Sequence, residues 1–207
     1  ASRTAVNPLS GEVLPEDSVA DMCRKIYAVD ADAMAQTMEL IQPKTIARAA
    51  ELLLEARTVL CMGQGGSMIM AQEAAHLFST SLPNFFAVND SHFQAIHASL
   101  LTEHDVVMCF SYSGSTKDLV DLLKLAKQRK AKTILITRFP KSPGGVYADV
   151  ILECGSREGP LQLGSVAARV AQLYLLDVLF SEVCRRDMEG CRTRREQVAE
   201  ALAGKHI

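Results

Sequence analysis

Two kinds of apolar pattern meet near Thr58. Across 16–41, Val19, Met22, Cys23 and Ile26 and then Met34, Met38 and Ile41 recur at helical spacing, which predicts an amphipathic helix. Pro43 interrupts this pattern and opens a second amphipathic helix through Ala56. From Thr58 onward, apolar runs without alternation ("TVLCMG", "NFFAVN", "DVVMCF", "KTILIT", "ADVILEC") are separated by segments of helical length near 68–80, 92–101, 117–130 and 163–185. A strand apolar on both faces belongs to a sheet covered on both faces, and connections of helical length fit parallel strands. The pattern predicts a doubly wound α/β fold, a three-layer αβα sandwich around a five-stranded parallel sheet, with helices in front. The implied division is a linker or tag remnant over 1–15, a helical lead-in over 16–56, the α/β domain over 57–186 and a helical tail over 187–207.

Composition changes this picture little. With 207 residues, 48% hydrophobic and 22% charged, the chain has enough material for one sizeable core. A formal net charge of -2 gives no electrostatic case for binding nucleic acid over the whole surface. No apolar run reaches membrane-spanning length and no signal peptide opens the chain, so the expectation is a cytoplasmic protein without a membrane partner. The six cysteines form no CxxC pair, and three lie in the strand-like runs, so reduced core thiols are expected. Neither a metal nor another cofactor is implied. The arginines of "CRRDMEGCRTRREQ" are interleaved with Asp187, Glu189 and Glu196, as on a solvated helical face.

Ligands of doubly wound sheets sit outside the carboxyl ends of the strands, so motifs at strand ends deserve a chemical reading. The first strand runs into Gly63-Gln64-Gly65-Gly66-Ser67, a turn whose backbone N–H groups can approach an anion at a helix start. A tight turn capped by Ser67 explains the same letters. A dinucleotide fingerprint would need glycine at Met68, and no Gly-Lys-Ser/Thr follows. The third strand runs into Ser111-Tyr112-Ser113-Gly114-Ser115-Thr116. Ser115-Thr116-Lys117-Asp118 has the form of a capping box, which spends one hydroxyl on the next helix. Ser111, Ser113 and Thr116, with Gly114, remain as neutral donors able to surround a dianionic phosphate monoester without Lys or Arg. The fifth strand leads to Glu158 in a Gly/Pro-rich loop, placed to accept sugar hydroxyls or to act as a base. His92 follows the second strand and is a further site candidate, whereas His76, His97 and His104 fit surface positions.

"GQGGS", "SYSGST" and "SREG" after strands one, three and five resemble the sugar isomerase (SIS) domain, a flavodoxin-like phosphosugar-binding module, over roughly 44–185. "DSHFQAIHASLL", "ITRFPKSP" and "SREGPLQLGSVAARVAQLYLLDVLF", behind a helical lead-in, resemble more closely the effector domain of RpiR-type transcriptional regulators. The resemblance implies a phosphorylated sugar as ligand and contacts from Ser67, Ser111, Ser113 and Thr116, with the backbones of Tyr112, Gly114 and Ser115 around it; Gly65, Gly66 and His92 join the candidate ligand-binding residues by their places at strand ends. It also implies that Glu158 touches the ligand, that no residue is catalytic, and that DNA is met through a helix-turn-helix domain upstream, which nothing before Thr58 resembles. The alternative is an aldose-ketose phosphosugar isomerase with Glu158 as base. Apolar surface on the lead-in and on the long last helix predicts a homodimer or tetramer.

Overall fold

The computed structural model describes residues 13–155 and 166–205. Five strands, β1 (Thr58–Gly63), β2 (Phe85–Ala87), β3 (Asp105–Phe110), β4 (Lys132–Thr137) and β5 (Val150–Glu153), form one parallel sheet in the order β2-β1-β3-β4-β5. Among the described residues seven α-helices accompany it: α1 (Val19–Leu40), α2 (Pro43–Glu55), α3 (Gly66–Ser79), α4 (Ser91–Ser99), α5 (Lys117–Gln128), α6 (Val166–Arg186) and α7 (Met188–Ala203). Successive strand residues point to opposite faces, and both faces are buried. Val59, Cys61, Val106, Met108, Ile134 and Ile136 pack under α2, α3 and α6. Their neighbours Leu60, Met62, Val107, Cys109 and Leu135 pack under α4 and α5. This double burial is why the strands read as continuous apolar runs.

The expected strands are present, with the second shorter than its apolar run. The long helix expected over 163–185 starts outside the described residues, within which it spans Val166–Arg186. α1 lies outside α6, where Ala33 meets Ala167 and Ala171, making a further layer over that face of the sandwich. Ser18 caps α1 by accepting the Asp21 amide, and Pro43 takes the first position of α2, where its missing N–H costs nothing. Thr37, fully buried on α1, donates to the Ala33 carbonyl and accepts the Gly155 amide at 2.9 Å. A side chain on Gly155 would begin 2.5 Å from Gln36 Cβ, so glycine permits α1 to close on the exit of β5. Among the described residues no helix is long and apolar enough to cross a membrane.

Candidate functional site

The strand order reverses its winding between β1 and β3, so the crevice at their carboxyl ends is the switch point of the sheet. Gly63 and Phe110 are register partners there, and the glycine loop and the serine loop rise side by side from them. Gly63 has no room for a side chain, since a Cβ would meet the Ser67 carbonyl oxygen at 2.6 Å. Gly65, at φ +54°, is the N-cap of α3; Ser67 lies inside the helix and does not cap it. The amides of Ser67 and Met68 are spent on the carbonyls of Gln64 and Gly65. Those of Gly65 and Gly66 find no acceptor among the described residues, and the Ser67 hydroxyl stays open.

In the serine loop the hydroxyls divide by role. Ser111 Oγ accepts the Gly114 amide at 3.1 Å and Ser113 Oγ accepts the Ser115 amide at 3.2 Å, which leaves each O–H proton free to donate outward. Ser115 donates its own proton to the Ser113 carbonyl, so its side chain closes the turn. The expected capping box does not form: the N-cap of α5 is Thr116, whose hydroxyl makes no cap bond. Thr116 therefore keeps both its hydroxyl and the first amides of α5 unspent. Gly114 sits at φ +61°, and a Cβ there would lie 2.1 Å from Ser142 Oγ. Its carbonyl accepts the Gly144 amide at 2.8 Å, which pins the serine loop to the segment after β4. The Tyr112 carbonyl accepts from Arg138 N and Thr137 Oγ1, and its ring meets Phe139 edge-on. The result is two loops presenting neutral donors toward one crevice, an arrangement able to hold an oxyanion.

Three residues that the sequence reading missed complete the surroundings. Arg169, on the first turns of α6, brings Nη1 to 3.8 Å from where a Gly66 side chain would begin. The glycine loop thus has a cation beside it, contrary to the expectation of a site without Lys or Arg. The available signal was a lone charge in the apolar run "VAARVAQLYLL". Gln94, buried on α4, donates to the Gly63 carbonyl at 3.1 Å and the Val88 carbonyl at 2.7 Å and accepts from Gln64, which fixes the base of the glycine loop. Gln172 lies beside Cys154 just past β5, and its buried Oε1 has no partner among the described residues. Burial pushes the Cys154 thiol up to about 12, which removes it from acid-base chemistry near neutrality.

His92 is not brought into either loop. It stands exposed on the first turn of α4 and lines a groove of about 280 Å³ with Asp118 and Asp121 between α4 and α5. His76, His97 and His104 are exposed, as expected. Glu158 lies outside the described residues. Among the described residues no three side chains cluster as metal ligands.

Residues 52–182 match the SIS domain family. The chain belongs to that family, in its RpiR-type branch. It is 31% identical to an HTH-type transcriptional regulator of Haemophilus influenzae over 96% of its own length and 69% of that protein. It is 32% identical to the transcriptional regulator RpiR of Escherichia coli, over 87% of its own length and 61% of that relative's. Among solved structures, NanR of Vibrio vulnificus in complex with ManNAc-6P superposes with a TM-score of 0.86 at 27% identity, over 91% of this chain and 71% of that one. The sugar isomerase domain of an RpiR transcription factor from Sphaerobacter thermophilus gives 0.78 at 22% identity, over 85% of this chain and 97% of that one, a likeness of fold.

Proposed function

We propose that this SIS domain is the phosphosugar-sensing effector domain of a cytoplasmic transcriptional regulator. The observation that carries the reading is the pair of donor loops at the switch point, in which Ser111 and Ser113 are oriented by accepting backbone amides while Thr116 is left uncapped. Neutral O–H and N–H donors with one nearby guanidinium suit a phosphate monoester. The similarity to a NanR structure holding ManNAc-6P supports the same ligand class.

In this reading Gly65, Gly66, Ser67, Ser111, Ser113 and Thr116 contact the phosphate, Arg169 supplies charge, and Glu158 accepts sugar hydroxyls. Occupancy passes through the exit of β5, where Gly155 is bonded to Thr37, into α1. A helix of the lead-in held on the strand-end loop serves a sensor that reports to a further domain. DNA is then contacted by a helix-turn-helix domain of the full protein, with the domain paired as a homodimer or higher oligomer.

The experiment is a thermal-shift screen of sugar phosphates, each beside its dephosphorylated sugar. Ligand at a hundredfold excess over its Kd adds about 2.7 kcal/mol of stability, and only the phosphorylated member of the cognate pair is expected to do so. Incubation of that ligand in deuterated water separates sensor from isomerase. A sensor leaves the sugar unchanged, whereas an isomerase exchanges a C–H proton with solvent and loses this exchange in Glu158→Gln.

A further inference from the structure

α6 and α7 meet in an elbow. Asp187, at φ -125° and ψ 55°, interrupts the helical path and caps α7 by accepting the Gly190 amide. Arg194 holds the elbow from inside by donating to the Asp187 carboxylate and to the Ser81 carbonyl. Cys184, on the last turn of α6, and Cys191, on the first turn of α7, flank this break. In one unbroken helix, residues seven apart are separated by about 10 Å. That exceeds the Cα separation of about 7 Å that a disulfide can bridge. The elbow changes this: both thiols line one open cleft of about 560 Å³, and the Cys191 thiol lies close enough to help push the Cys184 pKa upward.

The other four cysteines have no such setting. Cys61, Cys109 and Cys154 are sealed in the core, and Cys23 is exposed by itself on α1. Around the pair the chemistry is cationic. Arg185, Arg192 and Arg195 line the cleft, and Arg194 reaches Cys191 Sγ at 3.7 Å. Arg185 and Arg192 are paired with carboxylates, whereas Arg195 lies 5.2 Å from the centre of the Phe180 ring and makes no ion pair among the described residues. Its charge is available to an anion entering the cleft.

We propose that Cys184 and Cys191 are a reversible dithiol–disulfide pair that locks the α6–α7 elbow, with an anionic low-molecular-weight disulfide as oxidant. The Cys184 thiolate attacks one sulfur of the oxidant, breaking its S–S bond and releasing one equivalent of small thiol. Cys191, on losing its proton, then attacks Cys184 Sγ in the mixed disulfide and releases the second equivalent. The net change oxidises two protein thiols and reduces one small disulfide to two small thiols. Burial and the neighbouring thiol push Cys184 upward in pKa, so Cys184 rests as a thiol and reacts slowly near neutrality.

The test incubates the folded domain with oxidised glutathione, followed by blocking of free thiols, trypsin digestion and mass spectrometry. Cleavage after Arg185 and Arg186 separates the two cysteines, so the bond appears as a crosslinked peptide pair, lost on reduction. That pair is expected in the wild type and in Cys23→Ser, together with a raised Tm. Cys191→Ser is expected to stop at a glutathione adduct on Cys184. A wild type that accumulates this adduct without the crosslink, or that oxidises only through Cys23 between chains, overturns the proposal.

Discussion

Thr116 and Ser113 look alike in sequence, yet their loss should be felt differently. Thr116→Ala removes a hydroxyl with no structural bond, so the free domain should keep its Tm while the cognate sugar phosphate binds about 10- to 100-fold more weakly, the worth of a hydrogen bond to an anion. Ser113→Ala should show a comparable loss of affinity and, because Ser113 Oγ holds the Ser115 amide, a loss of about 1 kcal/mol in stability. Calorimetry with parallel thermal melts separates the two. Arg169→Ala should weaken binding with a reduced salt dependence, and Arg169→Lys should restore part of it; equal affinity in both variants would place the guanidinium outside the site. Gly114→Ala combines a left-handed backbone with a 2.1 Å clash on Ser142 Oγ. Ser142→Gly removes the clash and leaves the backbone cost of about 1–2 kcal/mol, so the double variant should melt above Gly114→Ala and below wild type.

Elements are held at both ends of the sheet, and only one end faces the ligand crevice. At the other, Asp105 begins β3 as a buried carboxylate; burial pushes its pKa up, but the Arg57 guanidinium at 3.0 and 2.8 Å and the Thr102 amide and hydroxyl outweigh this and hold it below the usual range. A depressed folded pKa means stability that is present above the ordinary Asp value of about 3.9 and lost as pH falls through the folded value. Asp105→Asn should therefore unfold at lower urea than wild type at neutral pH, and the gap should begin to narrow as pH falls below about 4 and close only below the depressed folded value. On α4, Gln94→Leu leaves two buried carbonyls without donors and should cost about 2–4 kcal/mol, loosening the glycine loop along with the helix. α6 was expected to leave apolar surface for a partner chain. Much of α6 is covered within the monomer by α1, α2 and α3, which explains a helix with nine buried residues and little amphipathicity, while Val166 and Leu173 stay exposed.

Further apolar surface lies on two other helices. Val19, Ile26, Tyr27 and Met38 are exposed along α1, and Phe93, Ile96 and Leu100 along α4. Contiguous apolar faces of this kind favour self-association, most simply about a two-fold axis. Sedimentation at micromolar concentration should give at least a dimer, weakened by Phe93→Asp or Tyr27→Asp on whichever face is used; a monomer near 22.5 kDa at all concentrations would remove this expectation.

Fold class and the place of the donor-rich loops were legible because both rest on local chemistry. A strand buried on both faces must be apolar throughout, as "DVVMCF" is, and a loop that approaches an anion must be small and rich in donors, as "GQGGS" and "SYSGST" are. Helix starts were less legible, because Ser115 and Thr116 can each cap α5 and the Ser113 carbonyl competes for the Ser115 hydroxyl. Contacts across the fold left no local mark at all. Arg169 reaches Gly66 across about a hundred residues of chain, Thr37 meets Gly155, and Cys184 meets Cys191 only because Asp187 breaks a helix. The residue pattern by itself determined the layers, the strand ends and the donor-rich loops, since periodicity and side-chain type act within a few residues. Only the tertiary structure decided which hydroxyls stay free, which cation lies near them and which thiols share a cleft, because those depend on how distant segments are packed against one another.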